Sequence, residues 1–249
     1  MLLLKACLNG NRLPTEHPAL PMTPAQLAAD AVRVRAAGAQ AVHVHVKDGQ
    51  GADTLDGEVL AEVLAAVRAA APGLEVGGTT GAWSAPDPVR RVGAVRGWTA
   101  LPDFASVNWH EPGAEQVAAL LVERGVGVEA GLWHADAARG WLASPLRSRC
   151  LRVLLELPDG LDEAATVAQA ELLLGLLAAG GNALPVLLHG EGSSCWPALR
   201  HAVTRGLAAR IGLEDVLALP DGSPAPDNVA LVTAAAALRR PDKGVAPAR

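Results

Sequence analysis

The chain has 249 residues, half of them apolar and 19% charged, with a formal net charge of −5. That composition can bury a sizeable core, which excludes disorder as the main state, and the length suits one large domain or two small ones. The negative balance without any Lys/Arg run excludes a nucleic-acid footprint, and no stretch approaches the ~18 consecutive apolar residues of a membrane helix.

Cys7, Cys150 and Cys195 are far apart and form no CxxC, so neither a disulfide framework nor a thiolate zinc site is expected, and a reducing cytoplasm fits. The opening Met-Leu-Leu-Leu is interrupted by Lys5, so it reads as a buried first strand and not as a secretory leader. From there, short apolar runs bounded by Gly, Pro or polar residues alternate with Ala/Leu/Val segments at helical spacing. The runs fall at residues 2–8, 41–46, 74–79, 104–109, 127–133, 152–157, 185–190 and 210–214. The first helix is announced by Thr23-Pro24, a cap followed by proline at the first helical position, and stops near Gly38. Further helices are predicted over 57–71, 86–98, 113–123, 135–149, 162–179, 195–206 and 227–240. Eight strand–helix units in this length match a single (β/α)8 TIM barrel spanning 1–249, with a doubly wound sheet as the alternative and 243–249 as a tail.

Alternation along the strands separates an interior face from a helix-facing one. His43 and His45 share one face of the second run, while Val42, Val44 and Val46 take the other. The eighth run places Arg210, Gly212 and Glu214 together. The same count turns Thr79, Ser106, Asn108 and Glu129 inward. Polar groups buried without partners cost several kcal/mol each, so this face implies a polar pocket. Two imidazoles and a carboxylate converging from even-numbered strands suggest a metal site, with Zn²⁺ the first choice and Fe²⁺ the second.

Structural roles compete for each of these residues. An HxH pair is often two hydrogen-bonded histidines, and His17, His110, His134 and His201 lie in loops or helices. His189 ends the seventh run and is a pocket candidate, and Trp83, Trp109 and Trp133 could wall a cavity or pack in the core. Lys47 stands where a Schiff-base lysine could act. Gly77-Gly78-Thr79-Thr80-Gly81 would let a ligand approach the backbone closely, or simply ease packing. No GxGxxG after a strand, Walker loop or GxSxG elbow occurs.

Several segments together resemble the β-keto acid cleavage enzymes, typified by 3-keto-5-aminohexanoate cleavage enzyme. They are Lys5-Ala-Cys-Leu-Asn-Gly-Asn-Arg12, His17-Pro-Ala-Leu-Pro-Met-Thr-Pro24, His43-Val-His-Val-Lys-Asp48, Thr79-Thr-Gly81, Ser106-Val-Asn108 and Arg210-Ile-Gly-Leu-Glu-Asp215. The resemblance runs in order from the first strand to the eighth. It implies a zinc-dependent barrel that exchanges acyl groups between a β-keto acid and acetyl-CoA, giving acetoacetate and a new acyl-CoA, in a homo-oligomer. It further implies His43, His45 and Glu214 as metal ligands, and Asp215 as the base, kept ionised by Arg210 and positioned by Arg210 and Thr79. Asn11, Thr79, Ala82, Ser106, Asn108 and Glu129 would meet the substrate. Asn11 stands where the typifying enzyme has a Glu for an amino group, which favours a neutral or differently charged side chain. The fifth run carries only Glu129 where the resemblance suggests two alternating carboxylates. The rival functions are a zinc hydrolase or lyase of a small carbonyl compound that needs no CoA, and a barrel that only binds a metabolite or metal.

Overall fold

Side-chain caps fix where most of the helices begin. In the computed structural model, which describes residues 2–239, Thr23 accepts a hydrogen bond from the Gln26 N–H while the Gln26 side chain accepts from the Thr23 N–H, closing a capping box at the start of α1 (Pro24–Ala36). Aspartates cap α2 (Gly57–Ala70), α3 (Pro88–Arg96), α6 (Glu163–Ala179) and α8 (Asn228–Leu238). The remaining helices are α4 (Ala114–Glu123), α5 (Ala135–Ala143) and α7 (Cys195–Thr204). Between them run β1 (Leu4–Cys7), β2 (Ala41–Val44), β3 (Glu75–Thr79), β4 (Phe104–Asn108), β5 (Gly127–Leu132), β6 (Arg152–Leu157), β7 (Val186–Gly190) and β8 (Ala208–Ile211).

The eight strands pair in chain order, each parallel to the next, and β8 pairs with β1 to close the ring. The expected (β/α)8 barrel is therefore present, and the doubly wound sheet is excluded. The predicted tail at 243–249 lies outside the described residues. Among those described, no helix is long and apolar enough to cross a membrane.

Two element boundaries differ from the sequence reading for local reasons. The segment 135–149 is not one helix: Ser144 precedes Pro145, adopts an extended conformation at ψ 137°, and a separate 3-10 turn follows at Arg147–Arg149. The eighth strand stops at Ile211, before Glu214. The Gly212 carbonyl accepts from the N–H groups of Asp215 (2.9 Å) and Val216 (3.1 Å), so a helical turn begins at once.

The apolar core lies between barrel and helices, where Val42, Val44, Val128, Ala130, Val153, Leu155 and Ile211 meet helix residues such as Leu27, Leu64 and Leu121. The barrel interior is different. Lys5 and Glu129, both fully buried, pair at 2.5 Å, and Arg152 reaches Glu129 at 3.1 Å. Lys5 and Arg152 also stand over the ring of Phe104, at 5.2 and 5.4 Å from its centroid. Charge and one aromatic ring thus fill the floor beneath the site.

Candidate metal centre and active-site cavity

A cavity of about 350 Å³ opens among the loops that follow the strands. His43 projects into it from β2, and His45 follows one residue after the strand has ended. His45 keeps its place because Asn9 continues the pairing in the sheet's stead: its side chain donates to the His45 carbonyl (2.8 Å) and accepts from the His45 N–H (2.9 Å). The imidazole is fixed from behind, since His45 Nδ1 lies 2.5 Å from Asp53 Oδ2. An Nδ1–H donated to that carboxylate leaves Nε2 as the free lone pair. Nε2 lies 3.8 Å from Glu214 Oε1, and His43 Nε2 lies 4.0 Å from the same oxygen.

These three residues converge as expected, but Glu214 arrives from the turn after β8 and not by strand parity. Their donor atoms lie within 4.8 Å of one another, so the trio could hold a metal ion. The chemistry of the donors fits. Burial drives the His43 pKa well below its ordinary value, aided by Lys5 and other nearby cationic groups, so the imidazole is neutral. Glu214 Oε2 is buried without a hydrogen-bond partner. A carboxylate oxygen in that state beside the two imidazoles suits a divalent ion with nitrogen and oxygen preferences.

Arg210 and Asp215 sit next to this cluster. Arg210 Nη2 and Nε donate to Asp215 Oδ1 at 2.7 and 3.1 Å, and Nη2 also lies 3.0 Å from Glu214 Oε1. Burial pushes the Asp215 pKa up, and Arg210, acting in the expected direction, and His189 offset this only in part. Thr79 lines the cavity, but its hydroxyl accepts from the Gly81 N–H (3.1 Å), which leaves the orientation of Asp215 to Arg210.

Asn11, Ser106 and Asn108 also line the cavity. Asn108 is held by Trp133 Nε1 (3.2 Å) and by its own bond to Glu111 (3.0 Å). A side chain at position 131 would begin 2.5 Å from Asn108 Oδ1. The amide therefore occupies the space where a second carboxylate of β5 would project. Glu129 does not reach the cavity; it is spent on Lys5 and Arg152 in the floor, which corrects its expected contact with substrate. Ala82 is likewise off the lining, its N–H donating to Glu111, and the neighbouring Trp83 takes that place.

Of the tryptophans, Trp83 and Trp133 wall the cavity, while Trp109 packs in the core. Trp83 stacks on His45 with the ring planes 6° apart and donates to Asp53 (2.8 Å). The glycines in and just after β3 serve packing: a Cβ at Gly77 would stand 1.9 Å from the Phe104 ring, and one at Gly81 2.2 Å from Trp83. Lys47 is engaged by Asp53 (2.5 Å) and by the carbonyls of Gly10 (2.7 Å) and Arg12 (3.1 Å), which withdraws its amine from Schiff-base chemistry. His17, His134 and His201 bond the Ala225 carbonyl, the start of α5 and Glu171, respectively.

The sequence reading missed Asp53 and the acidic wall formed by Glu156, Asp159 and Glu191. Strand alternation could have found Glu156, which shares its face with Arg152 and Leu154 of β6. His189 lies fully buried behind this wall, 3.4 Å from Glu156 and 3.8 Å from Asp215, and burial keeps it neutral.

A profile of the beta-keto acid cleavage enzymes matches residues 2–246. The chain belongs to this family. Solved structures of ObcA resemble this family member at 17% identity: the apo form has a TM-score of 0.69 over 87% of this chain and 61% of ObcA. A ternary complex of ObcA with a C4-CoA adduct and oxalate gives a TM-score of 0.71 over 87% and 62%. This member thus spans about three fifths of the ObcA chain. A type I 3-dehydroquinate dehydratase from Clostridium difficile shares the barrel more completely, over 96% of this chain and 92% of its own, at 9% identity and a TM-score of 0.65. A comparison with curated proteins finds no match.

Proposed function

We propose that the protein exchanges acyl groups between a β-keto acid and acetyl-CoA, with zinc held by His43, His45 and Glu214. The acyl group of the keto acid passes to CoA and the acetyl group takes its place, so the products are acetoacetate and a new acyl-CoA, with no change in oxidation level. Bound zinc would supply Lewis acidity toward the oxygens of the keto acid. Asp215 takes the proton from the carbon between the two carbonyls. Burial, by raising its proton affinity, suits it to that task. Arg210 aims the carboxylate with two hydrogen bonds to one oxygen, Oδ1, and stabilises negative charge as it develops. Asn11, Thr79, Ser106 and Asn108 orient the substrate, and Trp83 and Trp133 narrow the mouth against water.

One observation carries this reading: a buried, guanidinium-held carboxylate follows directly on a metal-ligand candidate in a single turn, so the base is held beside the metal site, just behind the cavity lining formed by Arg210 and Glu214. Family membership supports it, as do the ObcA complexes with oxaloacetate, itself a β-keto acid, and with a C4-CoA adduct. Three unpaired, buried cysteines fit a cytoplasmic setting, and the assembly is taken as a homo-oligomer. The test is to incubate the zinc-loaded enzyme with a panel of β-keto acids, with and without acetyl-CoA, and follow acetoacetate. Turnover that depends on acetyl-CoA and is lost in Asp215→Asn with zinc still bound supports the reading; turnover indifferent to acetyl-CoA overturns it.

A further inference from the structure

We propose that Asn228, oriented by Asp30, is a positioning residue for the metal centre: one buried amide in the helix layer sets the placement of Glu214 and, through Asn9, of His45. The inference rests on the functional reading above and deepens it, since it names what aligns the donors. Asp30 comes from the middle of α1 and Asn228 from the first position of α8.

The amide meets three groups. Asn228 Oδ1 accepts from the Leu213 N–H at 2.7 Å, one residue before Glu214. Its Nδ2 donates to the Leu8 carbonyl at 2.8 Å, one residue before Asn9, whose side chain brackets the backbone of His45. Nδ2 also donates to Asp30 Oδ2 at 2.7 Å. Leu8 is itself tied to β2, its N–H donating to the His43 carbonyl at 3.0 Å. The same side chain therefore grips both arms of the trio His43, His45 and Glu214.

The chemistry of the partners fixes which way the amide faces. The Asp30 carboxylate, paired with Arg33 at 2.5 Å, and the Leu8 carbonyl can only accept, so both draw Nδ2 and leave Oδ1 for the Leu213 N–H. Helix α8 does not need these bonds, because Asp227 already caps it through the Ala230 N–H at 2.9 Å. They serve the end of the barrel, where the fit is close. A Cβ on Gly212 would stand 1.9 Å from the Cys7 carbonyl oxygen and 3.0 Å from Asn228 Oδ1, and one on Gly10, at φ 55°, 2.4 Å from Glu214 Cγ. Leu8, Leu213 and Asn228 are all fully buried, so solvent is not at hand to replace a lost partner. A bond broken at Leu213 is relieved by shifting the turn, and the turn carries Glu214.

The experiment is competition for zinc with a chromophoric chelator in Asp30→Asn, Asn228→Ala and the double variant Asn228→Asp/Asp30→Asn, together with the visible spectrum of the protein saturated with Co²⁺. Asp30→Asn keeps the size of the side chain but introduces a donor that can turn the Asn228 amide, setting N–H against the Leu213 N–H. Zinc affinity should fall about tenfold in each single variant, the effect of losing an outer partner of a metal site. The double variant exchanges donor and acceptor between the two side chains, keeps an acceptor for Leu213 and loses only the bond to Leu8, so it should recover most of the affinity; a mere packing defect would accumulate instead. The Co²⁺ spectrum at saturation should change in the single variants, whereas a role confined to stability leaves it unaltered once the site is full. Wild-type zinc affinity or an unchanged Co²⁺ spectrum in Asp30→Asn, or a double variant that binds no more tightly than the singles, overturns the inference. His43→Ala separates the two readings: if it too keeps wild-type zinc affinity, the functional reading fails, and if it loses zinc while Asp30→Asn does not, only the positioning role fails.

Discussion

Replacing Asp53 with asparagine should weaken metal binding by about 10- to 100-fold, although the residue is not itself a proposed ligand. The structure supplies the reason. One carboxylate receives His45 Nδ1 (2.5 Å), Lys47 Nζ (2.5 Å) and Trp83 Nε1 (2.8 Å), so it sets the ring orientation and tautomer of a proposed ligand together with one cavity wall. Burial alone would raise the Asp53 pKa, but the bonds from His45 and Lys47 win and hold it below its ordinary value. An amide retains the shape and loses the charge that strengthens the lone pair on His45 Nε2. At about 1.4 kcal/mol per decade the loss corresponds to roughly 1.4–2.7 kcal/mol of binding free energy. Competition for zinc with a chromophoric chelator measures it directly. Asp53→Asn also strips Lys47 of its counter-charge, so Lys47→Met serves as the control: it removes the ammonium yet leaves the bond to His45. Metal affinity within twofold of wild type in Asp53→Asn, or an equal loss in Lys47→Met, would refute the orienting role.

Three further outcomes follow from the packing and charge of the barrel. Lys5→Met should lower unfolding free energy by roughly 3–5 kcal/mol, because Glu129 stays fully buried with only Arg152 beside it; an unshifted denaturation midpoint contradicts this. Gly77→Ala drives a methyl into the Phe104 ring and should cost about 1–3 kcal/mol, with Phe104→Leu restoring part of it; absence of any rescue would show the cost arises elsewhere. Glu191 in the folded chain holds a proton that the unfolded chain releases near its ordinary value of 4.5, so native stability declines as pH rises from there toward about 8. Glu191→Gln removes that decline, and its thermal midpoint should gain on wild type between about pH 6 and 8; parallel profiles would argue against the raised pKa.

Much of the barrel was legible because each strand announces itself twice, by an apolar run and by polar residues on alternate positions. His43, Ser106 and Asn108 were read correctly as cavity-facing on that alternation alone. Glu214 illustrates its limit: the residue was assigned inward by continuing strand periodicity through Gly212, yet the chain has already turned helical there, and the inward placement comes from the turn. Glu129 failed differently. Parity gave its face correctly but says nothing of depth along the barrel axis, and Lys5, four strands away and so directly across the ring, claims it at a level below the cavity. Asp53 was hidden because it acts from a loop after β2, where no period exists to read. Glu156 was available to parity and was overlooked among the leucines of β6.

The charged floor bears on how the protein responds to heat. Exposing apolar surface raises the heat capacity of unfolding, and exposing polar surface lowers it. A barrel whose lumen holds Lys5, Glu129 and Arg152 around one ring, where branched aliphatic residues are usual, should have a smaller heat-capacity increment than a dry-centred barrel of equal length, and so a flatter, broader stability curve. The dehydration cost of such ions also shrinks with temperature, so this centre grows relatively more favourable as the chain is warmed.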